Sequence, residues 1–386
     1  MKGSSRRKVI RRVVLALAAA YVVWLAFATL TYRVYRSNRA PVAGPPYEVE
    51  GVYHLHTRHS DGRGRVESIV RTARREGLDF IILTDHGNPN RASLAEQGWR
   101  DGLLLLAGSE LNVNRGHLVG LGFAAPERDF SRVAEEAVAE LAARGGFAVI
   151  AHPYSKTRWT WGEPAGYAGI EVINADNELK RNYPRLIPYA PALLVRPTLA
   201  LLRVIDYPEP NLRKWDEMTA ASHVAGYYST DAHVFYGALL RAVRLHVLLD
   251  ASLPAAGTDF AAAAASVFGA LREGRFYSAI DGAAEADGFR FEARTEGGAS
   301  FPPGADVILD PAAPLVLAAS LPFDFATETR LLRGGRIVDR TTGASLSHRA
   351  AEPGVYRVEV YLRSRSPLSP RVPWILSNPV YVRKKG

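Results

Sequence analysis

From residue 48 to about 284, short apolar runs alternate with segments of helical period. The runs at 48–55, 79–84, 102–108, 117–123, 147–151, 169–173 and 224–230 read as strands. Between the first two, VESIVRTARREG places Val66, Ile69, Val70 and Ala73 on one helical face and stops at Gly77. SRVAEEAVAELAARGG (131–146) repeats that design and ends at Gly145; TDFAAAAASVFGALREG (258–274) opens on a Thr/Asp cap and closes on Gly. This rhythm predicts βα units and a largely parallel sheet, the α/β class. Residues 183–205 break it: four prolines and three arginines interrupt an apolar stretch, which is too broken to span a bilayer. It predicts a lid packed on the body, or else a surface leaning on a membrane. After about 284 the style changes to short alternating strands with Gly and Pro turns, as in GVYRVEVYL, so 285–386 is expected to form a small all-β, immunoglobulin-like sandwich.

The N-terminus has its own pattern. Residues 13–32, VVLALAAAYVVWLAFATLTY, carry no charge, and as a helix they would rise about 30 Å, the thickness of a hydrocarbon core. Six basic residues precede them and three follow closely. The positive-inside rule then makes 1–12 a cytoplasmic basic segment, 13–32 a single-pass anchor in the inner membrane with Tyr32 as an interface residue, and the remainder periplasmic. The alternative is a signal peptide cleaved near AFA at 26–28, which would secrete the rest. Residues 33–47, rich in Pro, Gly and Ala, read as a short stiff linker.

Charge bears on partners. The formal net charge is +9, but nine of the 48 Lys and Arg lie in residues 1–40, which hold no acid. The remaining 39 match the 39 Asp and Glu, so the folded body is neutral and no nucleic-acid partner is expected. Without cysteine there is neither a disulfide partner nor a thiolate ligand, and any metal must use His, Asp or Glu.

Those residues are not scattered evenly. The first strand ends in His54 and His56, two apart and so on one side. FIILTDH ends in Asp85 and His86, LLLLAGSE in Glu110, FAVIAHP in His152 and GYYSTDAH in Asp231 and His233; HLVGLGF begins with His117. Six of the ten histidines thus sit at strand ends, which a β/α barrel gathers onto one face. One HxH is weak evidence for a metal site. The ordered conjunction of HxH, TDH, GxE…H, AHP and TDAH is strong.

The motifs HLHTRHSDG, TDHGN, GSELNVNRGH, AHPYS and STDAH resemble the PHP (polymerase and histidinol phosphatase) superfamily over residues 48–284. With the β region, the chain resembles the carbaryl-hydrolase-related branch. The resemblance implies a distorted (β/α)7 barrel holding two to three divalent ions (Zn, Mn or Fe). It implies ligation by His54, His56, Glu110 and Asp231 at one ion, by Glu110, His117 and His152 at a second, and by Asp61, His86 and His233 at a third. Glu110 and Asp231 would be the catalytic carboxylates, with a metal-bridging hydroxide as nucleophile. His59 is either a solvated loop residue or a proton donor. Arg58, Arg115, Lys156 and Arg158 are candidate clamps for a small anionic phosphoester. Asp85 could orient a ligand imidazole, Asn88 and Asn174 could line the pocket, and Glu171 is either structural or catalytic. The expected activity is a phosphoesterase. A carbamate, ester or amide hydrolase and a non-catalytic envelope-binding module are the alternatives, and an exonuclease ranks last.

Overall fold

The computed structural model describes residues 2–37, 46–155, 158–162, 166–310 and 313–385. Its first helix runs from Lys2 to Thr31; the part Arg6–Thr31 is long and apolar enough to cross a membrane. The helix stops where the chain docks on the body. Tyr32 turns inward, donating its hydroxyl to Gly282 O at 2.6 Å, and Tyr35 N reaches Ala283 O at 3.3 Å. Tyr32 is therefore a docking residue, where the sequence suggested a lipid-interface anchor.

The strands of the body form where apolar runs allow burial on both faces. Tyr47–Leu55 pairs in parallel with Phe80–Leu83, and Phe80–Leu83 with Leu103–Ala107. On its other side Tyr47–Leu55 pairs antiparallel with Arg244–Leu249, followed by Phe276–Ala279. A second sheet runs in the order Ser109–Val113, Gly116–Leu121, Phe147–Ile150, Gly169–Asn174, Ala225–Ser229. Bridges between Leu55 and Ala232 and between His86 and Glu110 tie the two sheets together. Every expected strand is present. The sheet is not largely parallel, however: Ser109–Val113, Gly116–Leu121 and Phe147–Ile150 pair antiparallel. For the first pair the reason is local, since the two residues between Val113 and Gly116 can close a hairpin but cannot hold a crossover helix.

The helices follow their capping chemistry. Val66–Arg75 buries Val66, Ile69, Val70 and Ala73, the expected face. Phe260–Glu273 starts at Asp259, whose carboxylate accepts Ala262 N at 2.9 Å, and ends at Gly274 with φ of 77°. Residues 183–202 fold into a 3-10 turn, Tyr183–Tyr189, and two short helices, Ala192–Val195 and Pro197–Leu202. The last of these buries Leu199, Ala200, Leu201 and Leu202.

Beyond Arg290 only strands follow. Gly354–Leu362 pairs through Ile375–Ser377 with Phe276–Ala279, so the boundary expected at 284/285 falls inside one continuous hydrogen-bonded sheet. A polar network crosses this joint. Glu48 accepts from His246 Nδ1 at 2.8 Å, from Gly288 N at 3.1 Å, and from Tyr277 and Arg290. Burial opposes its charge, but these donors win and its pKa falls to about 2. At Asp287 the neighbouring His246 does not outweigh burial and the nearby carboxylates. Burial, then its hydrogen bond to the charged Glu50, pushes it up to about 7 from an ordinary 3.8. A raised carboxyl pKa means that folding takes up a proton, so this group's contribution to stability is full below about pH 4 and is lost as pH rises through about 7. Asp287→Asn, which keeps a donor for Glu50, is therefore expected to raise stability by roughly 2 kcal/mol near pH 8 and by little near pH 4. Thermal melts at the two pH values test this; an equal shift at both would refute it.

Candidate metal centre

The strand ends converge as the alternation implied, and three of them do so through unusual backbone. His54, His152 and Asp231 have φ of 66°, 26° and 50°, the left-handed region that non-glycine residues rarely enter. Such conformations cost about 1–3 kcal/mol each and persist where the surroundings over-determine them. At Gly62 a Cβ would lie 2.3 Å from His56 O, so only glycine lets the loop fold back and present Asp61 to the cluster.

Glu110 is the hub. Its Oε1 lies 2.7 Å from His117 Nδ1 and 2.9 Å from His152 Nε2. Its Oε2 lies 3.3 Å from His54 Nε2, 3.1 Å from His56 Nε2 and 3.2 Å from His86 Nδ1. Asp231 Oδ1 faces the same His54 and His56 nitrogens at 3.3 and 3.1 Å. Asp61 Oδ2 faces His233 Nε2 at 3.2 Å and His86 Nε2 at 3.7 Å. Eight of the nine expected ligand residues fall in overlapping groups whose atoms lie within 4.8 Å of one another, and His152 joins them through its contact with Glu110 Oε1. The structure adds a tenth residue, the acid Asp176, grouped with Asp231 and His233. The sequence reading missed it because it follows Asn174 inside a helix start, with no histidine beside it.

The nitrogens behave as ligands would. His54 Nε2, His56 Nε2 and His86 Nδ1 are buried and have no hydrogen-bond partner, although carboxylate oxygens lie 3.1–3.3 Å away. A buried polar atom left unpaired costs about 1–3 kcal/mol, and three side by side need a shared reason. Lone pairs aimed at common points between carboxylates supply one. An all-nitrogen-and-oxygen donor set suits Zn, Mn or Fe.

A second layer orients these rings. His54 Nδ1 lies 2.6 Å from Glu171 Oε1; donating there leaves its lone pair on Nε2, facing Glu110 and Asp231. Glu171 also accepts from Tyr53 OH, His152 N and Asn174 Nδ2. His233 Nδ1 donates to Asp231 O at 2.8 Å, freeing Nε2 to face Asp61. Asp85 orients no imidazole: it takes Thr57, Ser60 and Ser93 and so braces the loop that carries Asp61. Asn174 bonds Asp231, whereas Asn88 bonds the Asn112 backbone away from the cavity.

Charge follows the same layout. Burial works against ionised Glu110 and Asp231, but the surrounding histidines outweigh it and hold both pKa values down. Burial also opposes the charged forms of His54 and His56, yet the carboxylates raise both, His56 to about 9. Positive charge is what this cluster of acids demands, and divalent ions would take the place of those protons.

Above the cluster lies a cavity of about 780 Å³, walled by Tyr154, Asn177, Lys180, Arg181 and Arg213. Arg213 makes no ion pair among the described residues. Of the four cations expected from sequence, Arg58, Arg115 and Arg158 do not line this cavity. Arg58 bonds Arg63 O. Arg115 pairs with Glu135 and shares with Arg158 a small side pocket that also touches His117 and His152. Lys156 lies outside the described residues. His59 Nε2 rests 3.1 Å from Glu96 and does not line the cavity. Lys180, Arg181 and Arg213 come from helices, where a cation gives no strand-end signal to single it out.

Comparison with known proteins agrees with this constellation. The PHP domain matches residues 53–152, which include seven of the nine expected ligands. No curated protein matches the chain. Among solved structures, a two-domain Bacteroides vulgatus protein containing a PHP-like metal-dependent phosphoesterase is 15% identical, with a TM-score of 0.44, covering 90% of this chain and 99% of its own. An amidohydrolase of Chromobacterium violaceum is 17% identical, with a TM-score of 0.30, covering 47% and 87%. A metal-dependent phosphoesterase of Bifidobacterium adolescentis is 15% identical, with a TM-score of 0.31, covering 51% and 90%. Clustered imidazoles and carboxylates at strand ends, matched in sequence over residues 53–152, identify that segment as a PHP domain.

Proposed function

We propose that the chain is a membrane-anchored, metal-dependent phosphoesterase, its PHP domain a distorted (β/α)7 barrel over residues 48–284 and its β region an immunoglobulin-like sandwich. The observation that carries the reading is the set of buried, unpaired imidazole nitrogens around Glu110. His54, His56, Glu110 and Asp231 would hold one divalent ion, Glu110, His117 and His152 a second, and Asp61, His86 and His233 a third. When bound, such ions supply a nucleophile at neutral pH and neutralise charge on a phosphoryl oxygen. Glu110 and Asp231 set the spacing of the positive charge, while Glu171 and the Asp231 carbonyl keep His54 and His233 in the tautomers that face it. Lys180 and Arg181 pair with Asp176 and Glu178, so Arg213, unpaired among the described residues, is the cation that favours an anion, and a carbamate or amide would have no use for it. The first helix, basic before its apolar span, would leave the N-terminus in the cytoplasm and the catalytic body in the periplasm.

The test uses the full-length protein in detergent, loaded with Zn or Mn, acting on p-nitrophenyl phosphate and bis(p-nitrophenyl) phosphate. Turnover abolished by chelation is expected; no release from either ester would overturn the reading. Arg213→Ala should raise KM about tenfold with little change in kcat, as expected for an exposed cation that binds substrate without entering the chemistry. A change confined to kcat would remove Arg213 from the binding wall.

A further inference from the structure

The cavity wall and the first helix are joined by one segment. Ala175–Asn182, which brings Asp176, Asn177, Lys180 and Arg181 to the cavity, runs directly into the turn Tyr183–Tyr189. That turn and the next helix turn large apolar side chains outward: Tyr183 is 63% exposed, Ile187 68%, Leu194 88% and Val195 66%. Apart from the first helix, no other described stretch concentrates large apolar residues at such exposure. A cluster of this kind marks an interaction surface rather than ordinary scatter.

The same segment grips the first helix. Tyr21 OH donates to Pro188 O at 3.0 Å, the Trp24 and Tyr189 rings lie 5.0 Å apart, and Leu25 packs against Tyr189, Ala192 and Leu199. From Tyr21 to Thr31 the helix rises about 15 Å, the hydrocarbon depth of one leaflet. A helix that crosses a bilayer therefore carries Ile187, Leu194 and Val195 into the leaflet on the body's side. Arg185, Arg196 and Arg203, all exposed, are spaced between the apolar positions, as in segments that lie in the headgroup boundary. Lys180 and Arg181, one turn back and paired with Asp176 and Glu178, stand beside the unpaired Arg213 where anionic headgroups would be drawn to the cavity.

We infer that Tyr183–Val195 is a second, monotopic membrane contact, seated beside the first helix, which opens the catalytic cavity at headgroup level onto the phosphoester of an anionic phospholipid. The substrate part rests on the proposed phosphoesterase function; the seating does not.

The chain has no cysteine, so Leu194→Cys gives a unique attachment point for a bimane label. In full-length protein reconstituted into vesicles of phosphatidylcholine and phosphatidylglycerol, doxyl-labelled phosphatidylcholine should quench this label several-fold. It should leave a label at Ile337→Cys, on the β region, bright. Equal quenching at the two sites would overturn the seating. For the substrate, wild type should cleave phosphatidylglycerol in those vesicles, or phosphatidic acid in vesicles that carry it instead. The Ile187→Glu, Leu194→Glu double variant should cleave them at least about tenfold more slowly, with bis(p-nitrophenyl) phosphate turnover unchanged. A wild type that cleaves the nitrophenyl ester but neither lipid, or a variant equally active on lipid, would overturn the lipid substrate and leave the phosphoesterase standing. Failure on every ester would remove both, with the quenching still deciding the seating.

Discussion

Glu110→Gln should strip at least one divalent ion from each chain and lower phosphoester turnover by about 10³-fold or more. Both oxygens of Glu110 are committed, Oε1 towards His117 and His152 and Oε2 towards His54, His56 and His86. Gln keeps one acceptor, turns an amide N–H2 towards ligand nitrogens on the other side, and removes a negative charge that is 99% buried. Lewis-acid stabilisation at such a site is worth several kcal/mol, and each 1.4 kcal/mol is about tenfold in rate. Elemental analysis beside nitrophenyl phosphate turnover reads both effects. A variant with wild-type metal content and less than a tenfold loss of rate would show that Glu110 bridges nothing.

The reach of the sequence can be judged residue by residue. The first ligand pair was legible because an HxH at the end of an apolar run leaves two imidazoles on one side of a strand, whatever the fold around it. Glu110 could be placed at the site, but its centrality could not: only the bridge between His86 and Glu110 shows that two sheets meet there. The antiparallel edge was hidden because Ser109–Val113 mixes polar and apolar residues and resembles a loop. Lys180, Arg181 and Arg213 were illegible for the opposite reason: a cation on a helix face looks the same whether it meets solvent or substrate. The segment at 183–205 gave two readings from its composition. In the structure one face packs on the body through Leu199–Leu202, while Ile187 and Leu194 point outward.

Glu171 shows how the supporting layer can be as exacting as the ligands. It lies inside an apolar strand and is fully buried, yet its carboxylate stays ionised: burial opposes the charge, and His54 overcomes it. All four of its partners can donate. Oε1 takes Tyr53 OH at 2.8 Å and His54 Nδ1 at 2.6 Å; Oε2 takes His152 N at 2.7 Å and Asn174 Nδ2 at 2.8 Å. In Glu171→Gln one of these oxygens becomes a donor facing two donors, which cannot be relieved by flipping the amide. Two buried hydrogen bonds are lost either way, at about 1–3 kcal/mol each. If the amide faces His54, the ring is free to move its proton to Nε2, the nitrogen aimed at Glu110 and Asp231. Metal affinity should then fall 10–100-fold, as for other outer-shell partners of ligand histidines, while Glu110 and Asp231 remain intact. Competition titration with a chromophoric chelator measures the affinity, and thermal melts of the metal-free protein measure the stability loss separately. Loss of stability with affinity within twofold of wild type would make Glu171 a core residue only. Loss of both would make it the group that holds His54 in its ligating tautomer.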